Sequence, residues 1–112
     1  MRNKYNAKKC FIAGIRFDSK KEAVRYTQLL LLQKAGKISE LRLQVPFILQ
    51  DSFSHWQFKR KILQIKYIAD FTYRVDGILH VEDTKGYKTE VYKIKRKMFL
   101  NRYGNECKFI ES

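Results

Sequence analysis

The chain is poor in the residues that punctuate or cross-link small proteins: its 112 residues include one proline, Pro46, two cysteines and five glycines. Cys10 and Cys107 stand far apart and in no C-x-x-C pair, which excludes a disulfide-dense secreted scaffold and leaves structural zinc without its ligand spacing. Reduced thiols in a cytosol are the expectation. Long apolar runs are missing too. The four leucines Leu29 to Leu32 fall far short of the roughly 20 residues that span a bilayer, and the basic start of the chain lacks the apolar core of a signal peptide. A cytoplasmic protein with no membrane partner is therefore expected. Acids are scarce: 11 Asp and Glu face 24 Lys and Arg, a net charge of +13 and a pI near 9.9. Such a surplus implies a polyanionic partner. No G-x-S-x-G, Walker loop or dinucleotide fingerprint occurs, so acyl transfer, nucleotide hydrolysis and hydride transfer have no support.

What is present is enough for a core. Hydrophobic residues make up 45% and aromatics 14%, which closes the low-hydrophobicity route to disorder. The length allows one domain, 1–112, without repeats or linkers. Residues 1–9 carry Arg2, Lys4, Lys8 and Lys9 and no acid, and read as a basic arm suited to a phosphate backbone. Cys10 to Phe17 turns apolar, a short strand or hairpin around Gly14. Ser19 with Glu22 three residues on is a capping-box pattern, and strong helix formers run to Ala35 before Gly36.

Leu41, Leu43, Val45 and Phe47 alternate in a strand that Pro46 assigns to a sheet edge or a bulge. Residues 51–61 read as a loop or hairpin end. Ile65, Tyr67, Ala69, Phe71, Tyr73 and Val75 alternate through a long strand. Asp76-Gly77 predicts a two-residue turn, and residues 78–85 return. Val91, Ile94 and Met98 stand at helical spacing between Thr89 and Tyr103, as the expected core stripe of a second helix that Gly104 stops. A last short strand follows from Cys107 to Ile110. The order is helix, three strands, helix, strand, an α/β class.

A type I′ turn at Asp76-Gly77 pairs 75 with 78, 72 with 81 and 70 with 83. Asp70 then faces Asp83. Alternation puts Lys85 on the face of Asp83 and Glu82 on the other. Two opposed carboxylates repel, and a divalent cation removes that cost; Mg²⁺ is typically held by one or two carboxylates with water and phosphate oxygens. Asp70 and Asp83 are thus candidate metal ligands, with Lys85 placed to orient a water or stabilise a phosphorane. The plainer reading is a polar strand residue and a solvated ion pair, and a bulge at Gly77 would shift the register by one.

These residues carry a resemblance. Glu22 in the first helix, Asp70 in IADF and Asp83-Thr84-Lys85 in VEDTKGY resemble the signature of the PD-(D/E)XK nucleases. The element order is similar to that superfamily's restriction-endonuclease-like αβββαβ core, a mixed central sheet flanked by helices. Nearly the whole chain, through YNAKK, FDSKKEA, YIADF, VEDTKG and TEVYKIKRK, is similar to a phage-encoded family of small proteins classed as a domain of unknown function and placed in that superfamily. The resemblance implies Mg²⁺- or Mn²⁺-dependent cleavage of DNA, in the manner of Holliday-junction resolvases and transposon-end endonucleases. Branched DNA of phage recombination or replication is the expected substrate. Asp70, Asp83 and Glu22 would bind metal and Lys85 would be the catalytic lysine. Ala69 stands where the motif has proline, and Glu82 is a rival acid at the wrong spacing.

Glu22 has a second reading as the N3 member of the capping box, and the two roles are compatible. Gln44 is an auxiliary candidate beside a plain surface glutamine. Lys88 follows the lysine motif, and Lys93, Arg96 and Lys97 form one face of the second helix, for which phosphate binding is favoured over mere solvation. Lys59, Arg60 and Lys61 form another DNA-binding cluster beside Trp56 and Phe58, whose rings are expected to pack in the core more readily than on bases. His55 and His80 receive no catalytic role. Symmetric cutting of two strands would need a homodimer, and a phage replication or recombination protein is the other expected partner. The alternative function is a non-catalytic, basic DNA-binding module of nuclease-like fold; an accessory protein acting through protein contacts fits the charge poorly.

Overall fold

Two local signals fix the start of the first helix. The Ser19 hydroxyl accepts the Glu22 backbone N–H at 3.1 Å, and apolar residues then recur at helical spacing. The computed structural model describes residues 10–12 and 14–112, so the basic arm expected over 1–9 lies outside the described residues. A hairpin opens them, with strand β1 (Cys10–Ile12) antiparallel to β2 (Ile15–Phe17). Helix α1 (Lys20–Lys34) follows, then β3 (Ser39–Gln50), β4 (Ile65–Val75) and β5 (Ile78–Asp83). Helix α2 (Glu90–Tyr103), capped by Thr89, and β6 (Lys108–Glu111) complete the fold. From α1 onward the order is αβββαβ.

The main sheet has the order β3-β4-β5-β6, antiparallel except for the β5-β6 pair. It is a mixed four-stranded sheet flanked by two helices. Pro46 lies on edge strand β3, where a sheet tolerates a residue without an N–H. Asp76 and Gly77 have φ of 51° and 81°, as a type I′ turn requires; the pairs 75/78 and 72/81 form as expected, and the ladder ends at 71/82, one pair short of the expected 70/83.

The helices cover opposite faces. Val81 packs with Tyr92 and Phe99 of α2, while its neighbour Glu82 meets Arg25 of α1, and successive strand residues point to opposite sides. Ala23, Tyr26 and Leu29 close one core with Phe17, Phe71 and Tyr73. Tyr92 and Phe99 close the other with Leu49, Tyr67 and Ala69.

Two expectations change here. The alternating residues of β4 do not share one face: Tyr67 and Ala69 pack toward α2, whereas Phe71 and Tyr73 pack toward α1. The strand switches sides around Asp70, and β3 switches with it, because Leu43 joins the α1 core and Phe47 the α2 core. Gln44 sits between them with φ 52°, a left-handed backbone that a glutamine adopts only when its surroundings impose it. The second correction concerns α2. Val91 and Ile94 are 62% and 58% exposed, Met98 alone of the expected stripe packs against the core, and the buried residues are Tyr92 and Phe99. Both stripes have helical spacing, and the aromatic one removes more apolar area from water.

Candidate functional site

Where β3 and β4 change faces, three acids and a lysine gather. Asp70 is buried on β4 and held by Thr84, whose backbone N–H and hydroxyl donate to its Oδ2 at 2.9 and 3.0 Å. Asp83, at the end of β5, is fully buried. Its Oδ2 accepts the Tyr67 hydroxyl. Its Oδ1 is buried and accepts no hydrogen bond, although Lys85 Nζ lies 3.3 Å away as an ion pair. Burial, then the adjoining Asp70 carboxylate, push the Asp83 carboxyl up to about 8, against the opposing pull of Tyr67 and Lys85.

Glu22 enters from α1, 7% exposed. The Ser19 half of the capping box forms, but the Glu22 carboxylate is directed to the site: its Oε1 accepts Gln44 Nε2 at 3.1 Å, and the same amide nitrogen lies 3.4 Å from Asp70 Oδ1. The left-handed turn of β3 at Gln44 therefore serves a purpose, since it brings one amide to two carboxylates. Burial and the charges of Asp70 and Asp18 raise the Glu22 carboxyl to about 7, against Lys85 and the Gln44 amide.

Lys85 lies two residues past the end of β5. Its backbone N–H donates to the Ser112 carbonyl at 3.2 Å, and the Ser112 N–H donates to the Asp83 carbonyl at 2.9 Å. The ammonium stands 4.8 Å from the centre of the Tyr92 ring, a cation–π placement. Tyr92 is itself fixed by its hydroxyl, which donates to Glu111 Oε2 at 2.5 Å.

Glu82 is excluded from this cluster, as its spacing predicts. It faces α1, where Arg25 Nε and Nη2 donate at 2.5 and 2.9 Å, with the Tyr73 and Ser112 hydroxyls at 2.6 and 2.8 Å. Burial opposes its ionisation, but these donors together outweigh it and hold the carboxyl below its ordinary value.

The residues suit a hard divalent cation. Among the described residues no three His, Cys, Asp or Glu side chains form a ready-made cage, but Mg²⁺ is characteristically bound through one or two carboxylates with waters completing the shell. Asp70 and Asp83 could supply that pair, and the unbonded Asp83 Oδ1 is the kind of oxygen such an ion takes.

The basic residues fall into two groups. Lys59, Arg60 and Lys61 are exposed on the β3–β4 connection. On α2, Lys93 pairs with Glu90 at 3.3 Å and Arg96 with Glu111 at 2.8 Å, so part of that face is neutralised from within, while Lys97 is exposed and Lys88 half-buried. Trp56 and Phe58 are 89% and 57% exposed, which overturns the expectation that they pack in the core. Sequence reasoning missed Thr84, Tyr67 and Tyr92. The only available signal was a hydroxyl inside D-T-K and tyrosines at strand and helix positions where aliphatic residues would pack equally well.

The family model described as "Protein of unknown function (DUF1064)" matches residues 2–111. No curated protein and no solved structure matches the chain with significance. No helix among the described residues is long and apolar enough to cross a membrane.

Proposed function

The chain belongs to the DUF1064 family, and we propose that it is a Mg²⁺- or Mn²⁺-dependent endodeoxyribonuclease built on a restriction-endonuclease-like core of the PD-(D/E)XK type. The observation that carries this reading is the pair of buried carboxylates, Asp70 and Asp83, with a lysine 3.3 Å from an otherwise unbonded Asp83 oxygen. A merely structural pair would be neutralised as Glu82 is. The αβββαβ order and the position of Glu22 on the first helix support the same assignment.

In this reading Asp70 and Asp83 hold the cation, and Gln44 keeps Glu22 beside Asp70 as a third anion. The cation, when bound, supplies charge stabilisation at a phosphoryl oxygen and an acidified water. Lys85 donates to the non-bridging oxygen on which negative charge develops, and Tyr92 fixes its reach. The water oxygen forms the new bond to phosphorus, and the bond from phosphorus to the leaving sugar oxygen breaks. Glu22 accepts the water proton; solvent protonates the leaving oxygen. The +13 charge binds the substrate backbone. Branched DNA of phage recombination or replication is the substrate proposed, in a cytoplasmic setting.

Labelled duplex, single-stranded, flap and four-way-junction DNA, incubated with and without Mg²⁺, test the assignment beside Asp83→Ala. Cleavage that needs the metal and vanishes in the variant is expected. Binding without cleavage under every metal and substrate would overturn it in favour of a non-catalytic DNA-binding module.

A further inference from the structure

Between β3 and β4 the chain leaves the sheet as an arm. Gln50 pairs with Ile65 at its root, and Phe53 and Ile62 exchange backbone hydrogen bonds of 2.9 and 2.8 Å further out. Beyond that bridge the chain turns tightly. The Phe58 N–H donates to the His55 carbonyl at 3.1 Å, and the Gln57 N–H donates to His55 Nδ1 at 3.2 Å. The His55 ring is thereby fixed between two others, 5.6 Å from Trp56 and 5.4 Å from Phe58. Trp56, the only tryptophan in the chain, is the most exposed large hydrophobic residue described, at 89%. Lys59, Arg60 and Lys61 follow at once, all exposed, and the sequence from Ser52 to Lys66 contains no acid.

A hydrophobic residue this exposed buries little apolar area in the fold, and the turn around His55 presents it to solvent. We infer that the arm is a binding site for unpaired nucleotides, in which Trp56 stacks on a base and Lys59, Arg60 and Lys61 hold the flanking phosphates. Stacking needs an open aromatic face beside cations, and both are present within six residues. An acidic protein surface would satisfy the lysines but leave Trp56 in water. Ile65 at the root is five residues from Asp70, about 17 Å along an extended strand, so the arm meets DNA beyond the scissile phosphate. A substrate that combines duplex at Asp70 with unpaired bases at Trp56 is a flap, or another duplex with a single-stranded branch. This inference rests on the nuclease reading for the placement of the duplex, but the stacking itself does not need catalysis.

The single tryptophan makes the test direct. The full chain is titrated in EDTA, without turnover, with a fluorescein-labelled flap, a thymidine oligonucleotide and a fully paired duplex. Label anisotropy reports binding, and Trp56 emission reports stacking. Emission should fall by about half or more with the flap and the oligonucleotide, and little with the duplex. Trp56→Ala should weaken flap binding about 5- to 100-fold and duplex binding less than twofold, while Trp56→Phe restores most of the loss. DNA bound with unchanged emission, or equal weakening for flap and duplex, would overturn the inference. Quenching without metal-dependent cleavage would support the arm and sink the nuclease reading. Cleavage with unquenched emission would do the reverse.

Discussion

Glu82 and Asp83 are neighbours on β5, both carboxylates and both fully buried, yet their surroundings differ in kind. Glu82 faces α1 and accepts from Arg25, Tyr73 and Ser112. Asp83 faces α2 and the site, with one tyrosine, one lysine at ion-pair distance and a second carboxylate against it. One face of the strand thus completes the charge it buries. The other leaves a charge deficit, which in a buried place is costly unless something enters to remove it. In the proposed reading stability and function are divided between two adjacent residues, and substitutions on the two sides should behave oppositely.

The largest effect is expected on the Glu82 side. Arg25→Ala leaves Glu82 charged and buried without its guanidinium, and should cost about 3–5 kcal/mol in urea denaturation, with no specific effect on metal binding. A loss under 1 kcal/mol would mean that the two faces are not distinct.

On the Asp83 side the sign reverses. Its carboxyl ionises at 3.8 in an unfolded chain and near 8 when folded, so the folded state keeps a proton that the unfolded state releases. Stability from this group is complete below pH 4 and is lost as pH rises to about 8. Glu22 behaves alike, between 4.5 and about 7. Without divalent cations, Asp83→Asn should therefore be more stable than wild type by about 1–3 kcal/mol at pH 8.5, the order of one unsatisfied buried polar group. The gap should close toward pH 4. Thermal melts across that range check it.

Ser19→Ala and Glu22→Gln separate cap from site. Losing the Ser19 hydroxyl should cost about 0.5–2 kcal/mol of stability and leave cleavage unchanged. Glu22→Gln keeps the cap, because Ser19 provides it, and should melt near wild type below about pH 5, where wild-type Glu22 is itself protonated in the fold, while cleavage at neutral pH falls by orders of magnitude. An active Glu22→Gln protein would remove Glu22 from the site.

How much of this division was legible in the sequence varies by level. The Asp-Gly turn sets the β4-β5 register by counting as far as Phe71 and Glu82, and with it the exclusion of Glu82 from the face of Asp83. The face switch at Asp70 was not legible, because a period of two assumes regular pleating and the irregularity lies in the backbone of Gln44. Nothing in a glutamine's chemistry announces φ 52°, although its amide made it an auxiliary candidate. The α2 core was misread because two stripes shared the helical period and only tertiary packing ranks them. The exposed Trp56 was misread for a related reason: large aromatics are usually buried, and a hairpin too short to cover its own tip is a property of the fold, not of composition.

The smallest effect concerns DNA affinity. Lys59, Arg60 and Lys61 stand in a stretch without acids, whereas Lys93 and Arg96 are paired with Glu90 and Glu111. Neutralising the three arm cations should reduce the slope of log K against log salt by about 2–3, and Lys93→Ala with Arg96→Ala by less than about 1. Equal changes would show that the α2 pairs open on binding.

The charge deficit at Asp83 is tested most directly by calorimetry with Mn²⁺ on wild type and on Asp83→Asn at pH 7, with no DNA present. Wild type should bind with release of a proton, read as a heat that depends on the buffer's ionisation enthalpy, and should gain melting temperature with added metal. Asp83→Asn should do neither, while Lys85→Ala should still bind. If wild type and Asp83→Asn take up Mn²⁺ equally, or neither does at millimolar metal, the buried pair is not a metal site and the account built on it is wrong.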